Sequence, residues 1–324
     1  MDIREKLYQM FILGLDGNGY KEALTKCLGG IIFFTKDIQT PEQFKNLCAE
    51  ITSQSKITPF LSIDQEGGRV ERTENIHGGK KYLSAKFAFE KGEEFLRNQT
   101  DEIAKELKSY GINMNFAPCI DVNTNPNNPI IGERAFSNKP DDVIIGEKIV
   151  STTYRNNGII PCVKHFPGHG DANADSHLTL PQINLTLKEM EQTHIKPFAD
   201  AVKDGIEMVM VAHLHCTCFE KEEIPTSLSK NAINYLRNSL NFNGVAISDD
   251  MIMKGVAKFG AKTACEMGIR AGLNMFIYRN SLPETIDIIE FLVQKAQGDR
   301  ELFANIETSF EKIIELKKKF GLLK

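Results

Sequence analysis

Short runs of consecutive apolar residues alternate along this chain with longer amphipathic segments. Apolar residues at consecutive positions, rather than at every second position, are typical of parallel strands that are covered on both faces. The pattern therefore predicts an α/β protein. Eight runs predict strands, and they lie at residues 10–15, 30–34, 59–64, 113–118, 162–166, 208–212, 245–248 and 275–278.

The segments between these runs carry signals for helix starts. Thr40 is a predicted N-cap, followed by a proline and by Gln43 as the capping-box residue. Thr186 and Glu189 repeat the capping box ahead of a helical pattern that extends to residue 202. Further helices are predicted at residues 101–110, 141–157, 230–240, 261–271 and 283–297.

Eight strands that are each followed by a helix predict a single (β/α)8 barrel of the TIM type. A doubly wound open sheet is the alternative, because the number of strands does not decide whether the sheet closes. No Pro/Ser-rich linker interrupts the pattern, so we expect one domain over residues 1–324. Residues 65–91 and 167–184 form long connections without periodicity, and such connections are usually functional.

The composition excludes several classes of partner. The chain of 324 residues is 41% hydrophobic and 25% charged, which is ordinary for a globular protein with a sizeable core. Its net charge of −4 and the absence of a basic cluster predict binding neither to nucleic acid nor to an anionic membrane. Lys317-Lys318-Lys319 is expected to be the solvated last turn of a helix.

The cysteines and the N-terminal residues bear on location. The seven cysteines are odd in number, scattered and mostly placed in apolar runs, which indicates buried free thiols in a reducing compartment. The first residues lack a basic head followed by an apolar stretch, and this predicts no signal peptide. We therefore expect a cytoplasmic protein. Separately, we expect it to be a monomer.

Charged and titratable residues follow one predicted strand after another. The carboxyl ends of parallel barrel strands meet on one face, where barrel enzymes place their chemistry. Charges beside buried strands are costly unless they are paired, so their recurrence indicates an active site rather than isolated ion pairs. The residues at these ends are Asp64, Arg69, Arg72, Asp121, Arg134, Lys164, His165, His213, His215, Asp249 and Asp250.

The segment from Lys164 to His177 is the most informative of these. It contains three of the seven histidines and directly follows a buried strand. An imidazole with an ordinary pKa of ~6.5 can both give and take a proton near neutral pH. Near Asp64, Arg69 is expected either to contact a sugar or to pair structurally with Asp64 or Glu66, and the residues alone leave both readings open.

Taken together, the motifs of this chain resemble the bacterial β-N-acetylglucosaminidases of glycoside hydrolase family 3, of the cell-wall recycling type. The resemblance covers roughly residues 10 to 280. The motifs that carry it are Asp64-Gln65-Glu66-Gly67-Gly68-Arg69-Val70, Asn115-Phe116-Ala117-Pro118 with Asp121 and Asn125-Pro126, Gly132 with Arg134 and Phe136-Ser137, Lys164-His165-Phe166-Pro167-Gly168-His169-Gly170, Asp175-Ser176-His177 and Ser248-Asp249-Asp250-Met251.

The resemblance implies a role for each matching residue. Asp249 would be the nucleophile that forms a glycosyl-enzyme, His177 the general acid/base and Asp175 its dyad partner. The implied substrate is N-acetylglucosamine β-linked to anhydro-muramic acid, with or without peptide, and no cofactor or metal is implied. The residues implied to bind the N-acetylglucosamine ring are Asp64, Arg72, Arg134, Lys164 and His165.

The proposed chemistry makes two further demands on Asp249. It must stay ionised, and Lys164 and Arg134 would lower its pKa if the barrel brings them close. Side chains alternate along a strand, so only one of Asp249 and Asp250 is expected to face the barrel mouth. The resemblance selects Asp249, and Asp250 is then expected to be a cap or salt-bridge residue.

Three rival functions remain open at this stage. A metal-dependent hydrolase could use His213-Leu214-His215-Cys216-Thr217-Cys218, or His165, His169, Asp171 and His177, as ligands. A sugar-binding barrel without catalysis would lack a working nucleophile. A phosphorylase of the same family would use phosphate instead of water as the acceptor.

Overall fold

Eight parallel strands close into a barrel in the computed structural model, which describes residues 1–172 and 180–323. Around the barrel the order is β1-β10-β9-β7-β5-β4-β3-β2, and a separate two-stranded ribbon pairs β6 with β8. The strands are β1 (Phe11–Asp16), β2 (Gly30–Phe33), β3 (Phe60–Ile63), β4 (Met114–Asn115), β5 (Ile160–Phe166), β6 (Gln182–Ile183), β7 (Met208–Val211), β8 (His215–Cys216), β9 (Val245–Asp250) and β10 (Met275–Asn280).

The predicted barrel is confirmed, and all eight predicted runs form its strands. The open sheet is wrong because the first and last barrel strands pair in parallel, with Phe11 opposite Phe276. The fourth strand is shorter than predicted, since its regular ladder ends at Asn115. The ladder resumes as an isolated bridge between Cys119 and Lys164.

Helices surround the barrel. Short 3₁₀ segments lie at Thr35–Asp37, Gly132–Arg134 and Thr226–Leu228, and a π-helical segment at Tyr235–Ser239. The α-helices are α1 (Ile3–Gln9), α2 (Gly19–Thr25), α3 (Pro41–Ser53), α4 (Ala85–Glu90), α5 (Glu93–Tyr110), α6 (Pro140–Asn156), α7 (Leu187–Gln192), α8 (Lys196–Lys203), α9 (Lys230–Asn234), α10 (Lys254–Ala257), α11 (Ala261–Ala271), α12 (Pro283–Ala296) and α13 (Arg300–Lys319).

The helix-start signals are largely confirmed, with two corrections. Thr186 and Glu189 form the predicted capping box of α7. At α3, the Thr40 side chain accepts from the amide of Gln43, but the Gln43 side chain accepts from the amide of Gln39 instead of closing the box. The single helix predicted to extend to residue 202 is two helices, α7 and α8, because a proline starts a new helix at α8.

The end of α13 differs from the expectation of a solvated turn. Lys317 is completely buried beneath the barrel, although Lys318 and Lys319 are exposed. Its Nζ donates to the carbonyl of Gly29 at 3.0 Å and lies 4.6 Å from the centre of the Phe60 ring. The helical period explains the burial, since Lys317 continues the buried face of α13.

Two other expectations can be compared with the structure. All seven cysteines are free thiols, and every one except Cys218 is buried. Within the described ranges, no helix combines the length and the apolar character that crossing a membrane requires.

Candidate active site

The polar strand ends meet in one cavity at the carboxyl ends of the barrel strands. Its volume is about 480 Å³, which is large enough for a small-molecule ligand. All six predicted site residues that lie in the described ranges line it, namely Asp64, Arg72, Arg134, Lys164, His165 and Asp249. The parallel arrangement of the strands therefore brings together residues that are up to 185 positions apart, from Asp64 to Asp249.

A buried ion-pair network forms one wall of the cavity. Lys164 Nζ lies 2.8 Å from Asp64 Oδ1 and 2.5 Å from Glu66 Oε1. Arg134 donates two hydrogen bonds of 2.8 Å to the carboxylate of Glu66. Burial by itself would lower the pKa of Lys164, but Asp64 and Glu66 outweigh it and hold that pKa above its ordinary value. Lys164 therefore remains a fixed cation.

A second buried pair orients His165. Its Nδ1 lies 2.7 Å from Asp121 Oδ2, and Asp121 is completely buried. An ionised carboxylate only accepts hydrogen bonds, so Nδ1 carries the proton of the neutral ring. The other ring nitrogen, Nε2, is 3.4 Å from Nη2 of Arg134. The imidazole thus belongs to the same polar wall as the ion-pair network.

Asp249 lies near the end of β9 and lines the same cavity as the ion-pair network. Burial tends to raise the pKa of its carboxyl. When His165 and His213 are protonated, their charges act together with the Asp250 amide and Lys164, outweigh burial and hold the pKa below its ordinary value. Lys164 contributes as expected, whereas the two histidines have the larger effect. An ionised carboxylate can attack an electrophilic carbon.

The expectation that only one of the two adjacent aspartates faces the cavity is wrong. Both Asp249 and Asp250 line it. The register between β9 and β10 shifts between Ile247 and Asp250 of β9, so strict alternation does not persist there. Asp250 nevertheless forms the expected salt bridge, with its Oδ2 2.5 Å from Nε of Arg279. Its carboxylate is therefore engaged at the rim of the cavity.

The two arginines after β3 have different surroundings. Arg69 donates to the backbone carbonyls of Pro129 and Ile130, so the structural pairing with Asp64 or Glu66 is wrong. The guanidinium of Arg72 lies 5.9 Å from the centre of the Phe34 ring. Its buried Nε has no hydrogen-bond partner in the described parts of the chain. Arg72 itself lines the cavity.

The predicted acid/base pair, Asp175 and His177, lies outside the described residues. Both flanks of that segment are tied down. The side-chain amide of Asn125 donates to the carbonyl of Ala172 at 3.2 Å, and β6 pairs with β8. The long connection predicted at residues 167–184 therefore contains a strand near its end.

The two strand-end histidines considered as metal ligands, His213 and His215, contact other protein groups. His213 Nδ1 lies 2.7 Å from Ser227 Oγ, and His215 Nε2 lies 2.9 Å from the carbonyl of Glu220. Over residues 1–172 and 180–323, one group has ligand atoms within 4.8 Å of one another, namely Cys119, Asp121 and His165. Its atoms already contact each other, since Asp121 accepts from both neighbours.

Three residues near the site were not among the predicted catalytic or sugar-binding residues, although Asp121 was noted at a strand end and His169 as a candidate metal ligand. Glu66 bridges Lys164 and Arg134, Asp121 holds His165, and His169 lines the cavity with its ring buried. The position of Asp121 after the fourth predicted strand was a usable signal. Nothing in the local pattern around Glu66 shows that it would pair with cations from two other strand ends.

A barrel with a cation-lined, carboxylate-containing cavity at the carboxyl ends of its strands defines the class of TIM-barrel enzymes. Residues 2–316 match the glycosyl hydrolase family 3 N terminal domain, and the chain belongs to this family of glycoside hydrolases. The family resemblance drawn from the motifs is therefore confirmed.

Curated relatives and solved structures agree with this assignment. The chain is 31% identical over 320 residues to beta-hexosaminidase A of Pseudoalteromonas piscicida, covering 90% of this chain and 53% of that protein. It is 31% identical over 276 residues to a beta-hexosaminidase of Methylococcus capsulatus, covering 82% and 79%. This chain thus spans about half the length of the first relative and more of the second.

The fold is also that of a solved family member. A glycoside hydrolase family 3 beta-N-acetylglucosaminidase from Paenibacillus sp. str. FPU-7 superposes with a TM-score of 0.91 at 29% identity. The superposition covers 99% of this chain and 63% of that protein.

Proposed function

We propose that this chain is a retaining exo-β-N-acetylglucosaminidase with Asp249 as its nucleophile. The observation that carries the proposal is the position of the Asp249 carboxylate, which lines one cavity with Asp64, Lys164 and Arg134. Relatives named beta-hexosaminidase support the same activity. In the first step a carboxylate oxygen of Asp249 bonds to the anomeric carbon while the bond to the leaving oxygen breaks.

The ion-pair wall is suited to binding a sugar ring. Asp64, partly exposed, can accept hydrogen bonds from sugar hydroxyls, and Lys164 and Arg72 can donate to sugar oxygens. His165 adds a ring nitrogen on the same wall. Because the network positions these groups before substrate arrives, little rearrangement is needed on binding.

His177 is proposed as the general acid/base and Asp175 as its orienting partner, on the strength of the family motif. His177 would protonate the leaving oxygen in the first step and remove a proton from water in the second. Water would then attack the anomeric carbon, and the bond to Asp249 would break. Asp175 would hold the ring and stabilise its charged form, as the acid of a catalytic triad does.

The finer substrate proposal is a peptidoglycan fragment, in which N-acetylglucosamine is β-linked to anhydro-muramic acid with or without a peptide. Hydrolysis of such fragments should release N-acetylglucosamine from the non-reducing end only. We further propose that the protein acts in the cytoplasm as a monomer without a cofactor. The buried free thiols favour a reducing compartment. Cell fractionation and light scattering test the location and the oligomeric state.

The central experiment compares an aryl N-acetyl-β-glucosaminide with the matching plain β-glucoside. We expect kcat/KM to favour the N-acetylated substrate, and ¹H NMR to show the β-anomer as the first product. A preference for the plain glucoside would reject the substrate assignment. Initial release of the α-anomer would reject the retaining mechanism.

The phosphorylase alternative is tested in the same assay with and without inorganic phosphate. Hydrolysis predicts equal rates and free N-acetylglucosamine in both conditions. Formation of the sugar 1-phosphate as the main product would show that phosphate, and not water, is the acceptor. Assays after exhaustive chelation test the metal-dependent alternative, for which activity should disappear.

A further inference from the structure

We propose that Asp121 is a positioning residue that sets the tautomer and orientation of His165 for sugar binding. The proposal rests on the proposed glycosidase function, in which the wall containing His165 binds the sugar. Asp121 lies behind that wall and does not line the cavity. It would therefore act through His165 and not by touching substrate.

The first argument is that the carboxylate of Asp121 is almost fully used, mainly by donors of His165 and His169. It accepts from His165 Nδ1 at 2.7 Å and from the amide of His169 at 2.6 Å. The amide of His165 lies 3.3 Å from both of its oxygens, and Cys119 Sγ lies 3.2 Å from one. Since a carboxylate offers about four acceptor sites, little capacity remains for anything else.

The second argument concerns charge. No lysine or arginine forms an ion pair with Asp121 among the residues that the structure describes, whereas Glu66 contacts both Lys164 and Arg134. Burial tends to raise the pKa of Asp121, but His165 and His169 outweigh it and leave the pKa below its ordinary value. A buried carboxylate satisfied in this way holds an adjacent imidazole and also stabilises its protonated form.

The third argument is the direction of the remaining ring nitrogen. With the proton on Nδ1, Nε2 of neutral His165 is an acceptor on the cavity side, 3.4 Å from Arg134 Nη2. A sugar hydroxyl could donate to Nε2 in place of the guanidinium, since this nitrogen has one lone pair. If the proton moved to Nε2, the ring would present a donor to the guanidinium instead, and the acceptor would be lost.

The decisive experiment is a double-mutant cycle with Asp121→Asn and His165→Ala. The asparagine has nearly the same shape but only one acceptor oxygen, so it cannot accept from His165 Nδ1 and from the His169 amide at the same time. We expect Asp121→Asn alone to lower kcat/KM by about 10- to 100-fold, equivalent to about 1.4 to 2.8 kcal/mol. In the His165→Ala background the same change should cost less than about 3-fold. Equal costs in both backgrounds would overturn the proposal.

A spectroscopic measurement keeps the proposal testable if the asparagine variant does not fold. In ¹⁵N-histidine NMR of the wild-type protein, with His165 assigned from the His165→Ala spectrum, we expect the Nδ1-protonated tautomer at neutral to alkaline pH. A dominant Nε2-protonated tautomer would overturn the proposal. This outcome is separate from failure of the proposed function, since it needs no substrate.

Cys119→Ala is the matched control. It removes another contact of Asp121 but leaves the pair with His165 in place. We expect kcat/KM within about 3-fold of wild type, because one weak sulfur hydrogen bond contributes little. A loss as large as that of Asp121→Asn would indicate a general packing role for this cluster and contradict the proposal.

Discussion

The two ends of the barrel each contain a completely or almost completely buried lysine, and the two lysines have opposite environments. Lys164 at the carboxyl end contacts Asp64 and Glu66, and their charges hold its pKa above the ordinary value. Lys317 at the other end has a carbonyl and an aromatic ring as partners, and burial lowers its pKa to about 7. Similar burial is therefore accompanied by pKa shifts in opposite directions.

This comparison of Lys164 with Lys317 indicates that burial alone does not identify a functional residue. At the carboxyl end, cations and carboxylates from several strand ends compensate one another around a cavity of about 480 Å³. Such a charged wall is costly to desolvate, and proteins tolerate that cost where the charges act on a ligand. At the other end the lysine extends a packed helix face, and its amine need not be charged.

The largest expected effect is that of Asp249→Ala at the carboxyl end. Removing the nucleophile should lower kcat by about 10⁴-fold or more on an aryl N-acetyl-β-glucosaminide. Stability should stay equal or increase, because a buried carboxylate is removed. Enzyme kinetics and chemical denaturation measure the two effects. Turnover above one hundredth of wild type would exclude Asp249 as the nucleophile.

Lys164→Met tests whether the ion pairs at the carboxyl end contribute both to sugar binding and to the stability of the fold. The change leaves Asp64 and part of Glu66 without their cation, so kcat/KM should fall by about 100-fold or more. The free energy of unfolding should decrease by about 3 kcal/mol, because an unpaired buried charge remains. Wild-type kinetics in this variant would remove Lys164 from the sugar-binding wall.

His177→Ala separates proton transfer from sugar binding at the same end. For substrates with poor leaving groups we expect kcat to fall by about 10²- to 10⁴-fold, since protonation of the leaving oxygen is then required. Activated aryl glycosides should lose much less in their first step. Measuring kcat/KM against leaving-group pKa gives the comparison, and equal losses across the series would contradict the assignment.

Lys317→Met is the matched substitution at the opposite end. The activity should remain within about 2-fold of wild type, because the side chain is remote from the cavity. The free energy of unfolding at pH 7 should increase by about 1 to 3 kcal/mol, because a buried amine is replaced by an apolar chain of similar volume. A destabilised variant would mean that its contacts with Gly29 and Phe60 outweigh its desolvation.

The pH dependence of stability gives the most specific signal. The pKa of Lys317 is lowered to about 7 from 10.5, so between these values the unfolded state binds the proton and the folded state does not. The contribution of Lys317 to the free energy of unfolding therefore rises with pH in that window, by up to about 1.4 kcal/mol per pH unit. Subtracting the profile of Lys317→Met from that of wild type isolates the slope. A flat difference would show that Lys317 stays charged when folded.

Much of the fold and of the site followed from local patterns. The eight apolar runs identified every barrel strand, and six predicted site residues line one cavity. Glu66, by contrast, was missed because its two cationic partners come from distant strand ends. Lys317 was misplaced because a run of three lysines indicates solvent, whereas the helix phase buries one of them.

The amino-acid sequence by itself determined the strands, their parallel character, the motif residues and the family. These depend on periodicity and on residue type, which are local properties of the chain. Only the tertiary structure decided that the sheet closes and which charges are paired. It also decided that Asp249 and Asp250 share a cavity, and that the pKa values of Lys164 and Lys317 shift in opposite directions. The reason is that electrostatic energy depends on distance and burial, and both arise only when remote segments pack together.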